Sequence, residues 1–117
     1  MVEAELFTRL KDDAGVSALV GTRIYPKKAP QNVQTPYIIF HVISDIDKQC
    51  VGGAIYQNDT RIQIDCWSLS YAEVKNLKVA VKSSLIGFKS AYEIYSMDDY
   101  EPETKLYREL IDFKLKG

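Results

Sequence analysis

Apolar residues recur at helical spacing in two stretches of the chain and alternate with polar ones in several others. Near the start Val2, Leu6 and Leu10 fall four apart with Phe7 beside them, and Glu3 and Glu5 sit where acids suit the positive end of a helix dipole. This predicts a first helix from about Val2 to Asp13, stopped by Gly15. "VSALVG" then adds a short apolar turn closed by Gly21, and "TRIY" has the residue types of a brief strand. Further on, Ser70 followed by Glu73 forms a capping-box pattern, and Val74, Leu77, Val81 and Leu85 share one helical face. A second helix is therefore predicted over Tyr71 to Leu85, ending near Gly87.

The alternating stretches predict strands. In "YIIFHVISDID" Ile38, Phe40 and Val42 lie on one face and Ile39, His41 and Ile43 on the other, so the first half is apolar on both sides and belongs in the middle of a sheet. In "RIQIDCW" Ile62, Ile64 and Cys66 alternate with Arg61, Gln63 and Asp65, which predicts a half-exposed strand. Gly52 and Gly53 between them suit a hairpin turn. The two arms would run to about twelve residues, double the usual ~5–6, and the polar tip from Lys48 to Asn58 should project beyond the core. "AYEIYSM" and "KLYRELIDFKL" read as two closing strands, separated by an acidic loop, "DDYEPETK". Pro26, Pro30 and Pro36 punctuate a long loop that carries Lys27 and Lys28, since each proline lacks a backbone donor. Together these elements predict an α+β fold of two layers, an antiparallel or mixed sheet covered on one face by two helices, with a long projecting β-hairpin.

Composition narrows the function classes. A chain of 117 residues is the size of one domain, 1–117, with its own core. A net charge of -1 gives no electrostatic footprint for duplex nucleic acid. Cys50 and Cys66 with the lone His41 are too few and wrongly spaced for a structural zinc site, so both cysteines read as plain thiols. The N-terminus has acids within its first five residues and no continuous apolar h-region, and no stretch reaches the ~18 apolar residues of a membrane span. Folding in a cytoplasm is the expectation.

No catalytic constellation is legible. His41 has no nucleophile motif beside it and reads as a sheet-face histidine with a structural hydrogen bond. Asp98, Asp99, Glu101 and Glu103 lack the spacing and central glycine of a calcium loop, and read as solvated loop acids. Lys27 and Lys28 without interleaved aromatics are a weak phosphate signal and leave a solvated loop or a protein contact open. Gly52 and Gly53 are not a phosphate loop, because no helix start or lysine follows at the needed spacing. Trp67 reads as core packing, with a buried interface anchor as the alternative.

The stretches "VGTRIYPKKAPQNVQTPYIIFHVIS" and "RIQIDCWSLSYAEVKNLKVAVKSSL", in that order and followed by two strands, resemble the tail completion family of long-tailed bacteriophages, the tail terminator or head-to-tail joining proteins. The resemblance runs from Leu6 to Leu115 and is weakest at the C-terminal hairpin. It implies a non-enzymatic virion protein without cofactors, assembled in the host bacterial cytoplasm. Such a protein would form a hexameric ring on the head-proximal end of the tail tube, end tail growth, and meet the major tail tube protein on one side and a head completion or connector protein on the other. A ring needs a contact between two different patches of each subunit, and the chain offers a basic loop, Lys27 and Lys28, and an acidic one, Asp98, Asp99, Glu101 and Glu103. Gly52 and Gly53 at the hairpin tip are a further contact candidate. Two other classes stay open: a monomeric protein-binding module, which would form no ring, and a small enzyme, which would need convergent titratable groups in a pocket, an idea that His41 at hydrogen-bonding distance from Asp65 or Asp112 would raise.

Overall fold

The computed structural model describes residues 2–49 and 55–116, with side-chain positions for 2–45 and 59–115. Helix α1 spans Val2–Asp12 and buries Leu6 and Leu10, as their spacing predicts. It does not stop at Gly15. The chain breaks at Asp13, whose extended backbone and carboxylate cap a second helix, α2, over Ala14–Val20, with Oδ1 accepting from the Val16 N–H at 3.0 Å. The stretch expected as an apolar turn is thus a third helix, burying Val16 and Val20, and Gly15 lies inside it. Gly21, at φ 59, closes it with its N–H on the Ser17 carbonyl.

Helix α3 covers Tyr71–Leu85, with Ser70 as its N-cap accepting from the Glu73 N–H. The capping box closes through an intermediary. Ser68 Oγ donates to Glu73 Oε1 at 2.6 Å and accepts from the Ser70 N–H at 3.0 Å, so the acid reaches the cap residue by way of a buried hydroxyl.

Five strands form one mixed sheet in the order β1-β2-β3-β5-β4: β1 Ile24–Pro26, β2 Tyr37–Gln49, β3 Ile55–Ser68, β4 Tyr92–Glu101 and β5 Leu106–Lys116. β1 runs parallel to β2 and every other pair is antiparallel, so the sheet is mixed. β2 lies one strand in from the edge and β3 is central. The two-sided apolar character of β2 comes from helices on one face and the proline loop on the other. A register shift between Val42 and Ser44 turns the strand, which leaves Val42 half-buried although its neighbours Ile38 and Phe40 are covered.

All three helices cover the same face. Leu6, Leu10, Val16, Val20, Val74, Leu77 and Val81 meet Ile38, Phe40, Ile62, Ile64, Ile111 and Phe113 in a single core. The expected core is therefore in place apart from Val42. Gly52, Gly53, Cys50 and the side chains of the hairpin tip lie outside the described residues.

Candidate protein-interaction surface

The face of the sheet that the helices leave open is paved by long side chains in cross-strand rows. Tyr37, Trp67 and Arg108 are consecutive partners across β2, β3 and β5. Tyr37 stacks on Trp67 at 6.4 Å, and the Arg108 guanidinium lies 5.3 Å from the Trp67 ring. Trp67 is thus part of this open face and not of the core, and its indole N–H is buried without a partner among the described residues. The sequence period placed it opposite Cys66, but a lone tryptophan says nothing about which face the helices cover.

Arg108 also donates to Asp65 at 2.9 and 3.2 Å. Arg61 grips Asp112 with both ends of its fork at 2.7 to 3.1 Å. Asp65 on β3 and Asp112 on β5 are buried for that reason, though the sequence reads this side of β3 as exposed. Neither acid meets His41. That histidine pairs with Gln63 in the ladder, and its Nδ1 is buried without a hydrogen-bond partner among the described residues. The histidine–aspartate pair that would raise an enzyme reading is not assembled.

Cys66 faces the core, where burial pushes its thiol up and keeps it protonated and unreactive. Among the described residues no group of three or more His, Cys, Asp or Glu could hold a metal ion, and no helix is long and apolar enough to cross a membrane.

The proline loop folds over one end of this open face and is held at both ends. Arg23 Nε donates to the Pro36 carbonyl at 2.9 Å and Nη2 to the Leu19 carbonyl at 3.3 Å, tying the loop's exit to α2. At its entry the Lys27 N–H donates to the Phe40 carbonyl at 2.9 Å, and the Lys28 N–H returns to the Pro26 carbonyl at 2.7 Å. Lys27 itself sits at φ 66, the rarer and strained form of a three-residue turn. The two lysines are exposed and held by this backbone geometry.

Opposite the loop stands the turn that joins β4 to β5. Together they wall a groove whose floor and sides include Val33, Tyr37, Ile39, Leu69 and Leu106, with Lys27 and Lys28 on one wall and Thr104 on the other. Burial raises the Tyr37 phenol, and the Glu101 carboxylate nearby raises it further.

The acidic candidates correct the sequence reading. Asp98, Asp99 and Glu101 belong to strand β4, and only Glu103 lies in the turn. Backbone pairing with β5 carries the strand through Glu101 despite the acids' poor strand propensity. Asp98 is engaged within the chain by Lys75 and by the Tyr71 hydroxyl at 3.1 Å, and Asp99 lies 3.7 Å from Arg108. Glu101 and Glu103 have no ion pair among the described residues and are exposed.

Lys75 also reaches Glu109, which is 1% exposed on the helix side of β5, and Lys78 stands 3.9 Å away. Burial raises the Glu109 carboxyl and the Asp98 carboxylate beside it adds to the effect. Asp98 is held down to about 2, first by its hydrogen bond with Glu109 and then by Lys75. The positions 75, 98 and 109 are too far apart in sequence for spacing to announce this cluster.

No sequence among the curated proteins matches the chain significantly. Among solved structures it resembles a chain from the virion of a native gene transfer agent (GTA) particle, at a TM-score of 0.77 and 19% identity, covering 95% of this chain and 90% of that one. The family model described as tail completion protein gp17 matches residues 4–116. The chain belongs to the tail completion protein gp17 family, a family of phage tail structural proteins.

Proposed function

We propose that this chain is a non-enzymatic virion protein that caps the head-proximal end of the tail tube as a ring, ends tail elongation and joins the tail to the head. The observation that carries the reading is the family match over residues 4–116. The surface chemistry supports it: the charged groups of the open face are spent on each other, and what stays exposed is a braced basic loop and an acidic strand end. In this reading the partners are further copies of the chain in a hexameric ring, the major tail tube protein, and a head completion or connector protein. Assembly takes place in the host bacterial cytoplasm.

In a closed ring one patch of each subunit meets a different patch of the next. Lys27 and Lys28 of one subunit would face Glu101 and Glu103 of its neighbour. Asp98 and Asp99 contribute less, because Lys75 and Arg108 already hold them. Exposed pairs give only ~0–1 kcal/mol each, so they set register while half-buried Tyr25 and Val33 and exposed Tyr100 supply the apolar area.

The expected result of Lys27→Glu with Lys28→Glu is impaired ring formation at low salt, seen by light scattering and negative-stain imaging, with thermal unfolding of the subunit unchanged. Adding Glu101→Lys with Glu103→Lys should restore part of it. Normal assembly of the first double variant would overturn the loop pairing, whereas the absence of any ring on completed tails would overturn the terminator reading itself.

A further inference from the structure

The two edges of the sheet are built differently. β1, at one edge, has three residues, and its outward positions are closed to a further strand: the Ile24 N–H is turned back onto the Thr22 carbonyl at 2.8 Å, and Pro26 has no N–H. The inward positions are spent on β2, with the Ile38 N–H on Arg23 and the Lys27 N–H on Phe40.

β4, at the other edge, has ten residues, no proline and no lysine, and no described strand pairs with its outer side. A register irregularity between Tyr92 and Tyr95, with Glu93 at φ 52, disturbs only its beginning. From Tyr95 to Glu101 the ladder with β5 is regular, so alternate backbone N–H and C=O groups along this run point away from the sheet, although the Tyr100 N–H already donates to Asp99 Oδ1 at 2.8 Å.

The side chains beside these groups form a pattern. On the open face, in order, stand Tyr95 at 53% exposure, Met97 at 47%, then Asp99 and Glu101. A second β4 laid parallel would set Asp98, Asp99 and Glu101 against the same acids, and one laid antiparallel about Asp98 would set Asp98 against itself and Asp99 and Glu101 against Met97 and Tyr95, so in neither orientation does a strand without a basic residue neutralise the acids. A β1 edge from another copy cannot supply the donors. Neither edge of this chain complements the open one.

We propose that Tyr95–Glu101 receives, as a sixth strand, an extended segment of a different protein that carries apolar side chains at two alternate positions and Lys or Arg at the next two. The apolar pair lies against Tyr95 and Met97 and the basic pair against Asp99 and Glu101, while the backbone hydrogen bonds provide affinity independent of sequence. This goes beyond ring formation: the two readings overlap at Glu101, and the peptide test on the free chain reads the β4 edge without the ring.

The probe is a synthetic peptide, Lys-Thr-Arg-Thr-Val-Thr-Val, matched to β4 in antiparallel order, with Glu-Thr-Glu-Thr-Val-Thr-Val as its control. Added to the full chain at low salt, the basic peptide should slow amide exchange at alternate residues between Tyr95 and Glu101. By fluorescence anisotropy Asp99→Lys with Glu101→Lys should weaken it about tenfold, two exposed charge pairs being lost and two repulsions gained. The same variant should prefer the acidic peptide. Equal binding of both peptides to the wild-type chain would overturn the proposal, as would binding that leaves the β4 amides unchanged. So would β4 amides already slow without peptide in a particle of dimer mass, which would make a second copy the occupant.

Discussion

Phe113→Ala is expected to cost about 3–5 kcal/mol of folding stability, the range for deleting a buried aromatic ring. Phe113 is fully buried, sits on β5 directly opposite Ile62 of the central strand, and belongs to the core that gathers Leu6, Leu10 and Leu77 from the helices above. The strands hold their spacing through backbone ladders on both sides of β5, so the cavity cannot collapse by moving one strand. Against a total of about 5–15 kcal/mol for a domain, the loss is a fifth or more of the whole. Val42→Ala is the internal control: half-buried at the last position before the register shift, it should cost about 1 kcal/mol or less. Urea unfolding of both variants at one pH checks the pair. A loss below 1 kcal/mol at Phe113 would mean that the sheet–helix interface is packed elsewhere.

What could be read from the sequence follows from how local each determinant is. Helix α3 was legible to the residue because both its signals are short-range: Ser70 caps it, and its apolar positions recur over four turns. Helix α2 was not, since seven residues give too few turns for a period to emerge, and Gly15 reads as a stop until Asp13 is seen capping the helix ahead of it. The acidic strand end was lost for a different reason. Asp98, Asp99 and Glu101 have poor intrinsic strand preference, and what holds them extended is pairing with Glu109, Arg108 and Leu106 across the ladder, a tertiary fact.

The candidate site divides in the same way. The braced loop announces itself through Pro26, Pro30 and Pro36, yet its groove forms only because the turn after β4 stands beside it. The pairs Arg61–Asp112 and Arg108–Asp65 join residues 51 and 43 positions apart, beyond any local pattern, and they explain why acids read as solvent-facing are buried. The family resemblance supplied what local patterns could not, because it rests on the order of whole elements. It ran weakest in the C-terminal hairpin, where the acidic strand was misread as a loop.

Lys75→Met should destabilise the chain at pH 7, because it removes the cation that faces the buried Glu109 carboxylate. Lys75 keeps 29% of its side chain in water and Lys78 stands 3.9 Å from Glu109, so the buried carboxylate would be poorly rather than wholly uncompensated. The loss should depend on pH with a definite sign. Glu109 titrates higher in the folded chain than unfolded, so its contribution is complete below the unfolded value of about 4.3 and is lost as pH rises through the folded one. Asp98, held at about 2, does the reverse: its contribution is present above the unfolded value and fades as pH falls toward 2. With Lys75 in place the two oppose each other across the acid range. Without it, Glu109 is pushed further up by Asp98 and Asp98 loses a cation that holds it down, so the variant gains stability relative to wild type as Glu109 takes up its proton. The gap measured by urea unfolding should therefore be widest at pH 7 and should narrow at pH 4. Adding Glu109→Gln to Lys75→Met should remove most of the pH 7 loss, because no buried charge is then left behind. A gap of equal size at both pH values, or a double variant no better than the single one, would mean that Lys75 stabilises the fold through its packing against Tyr71 and not through Glu109.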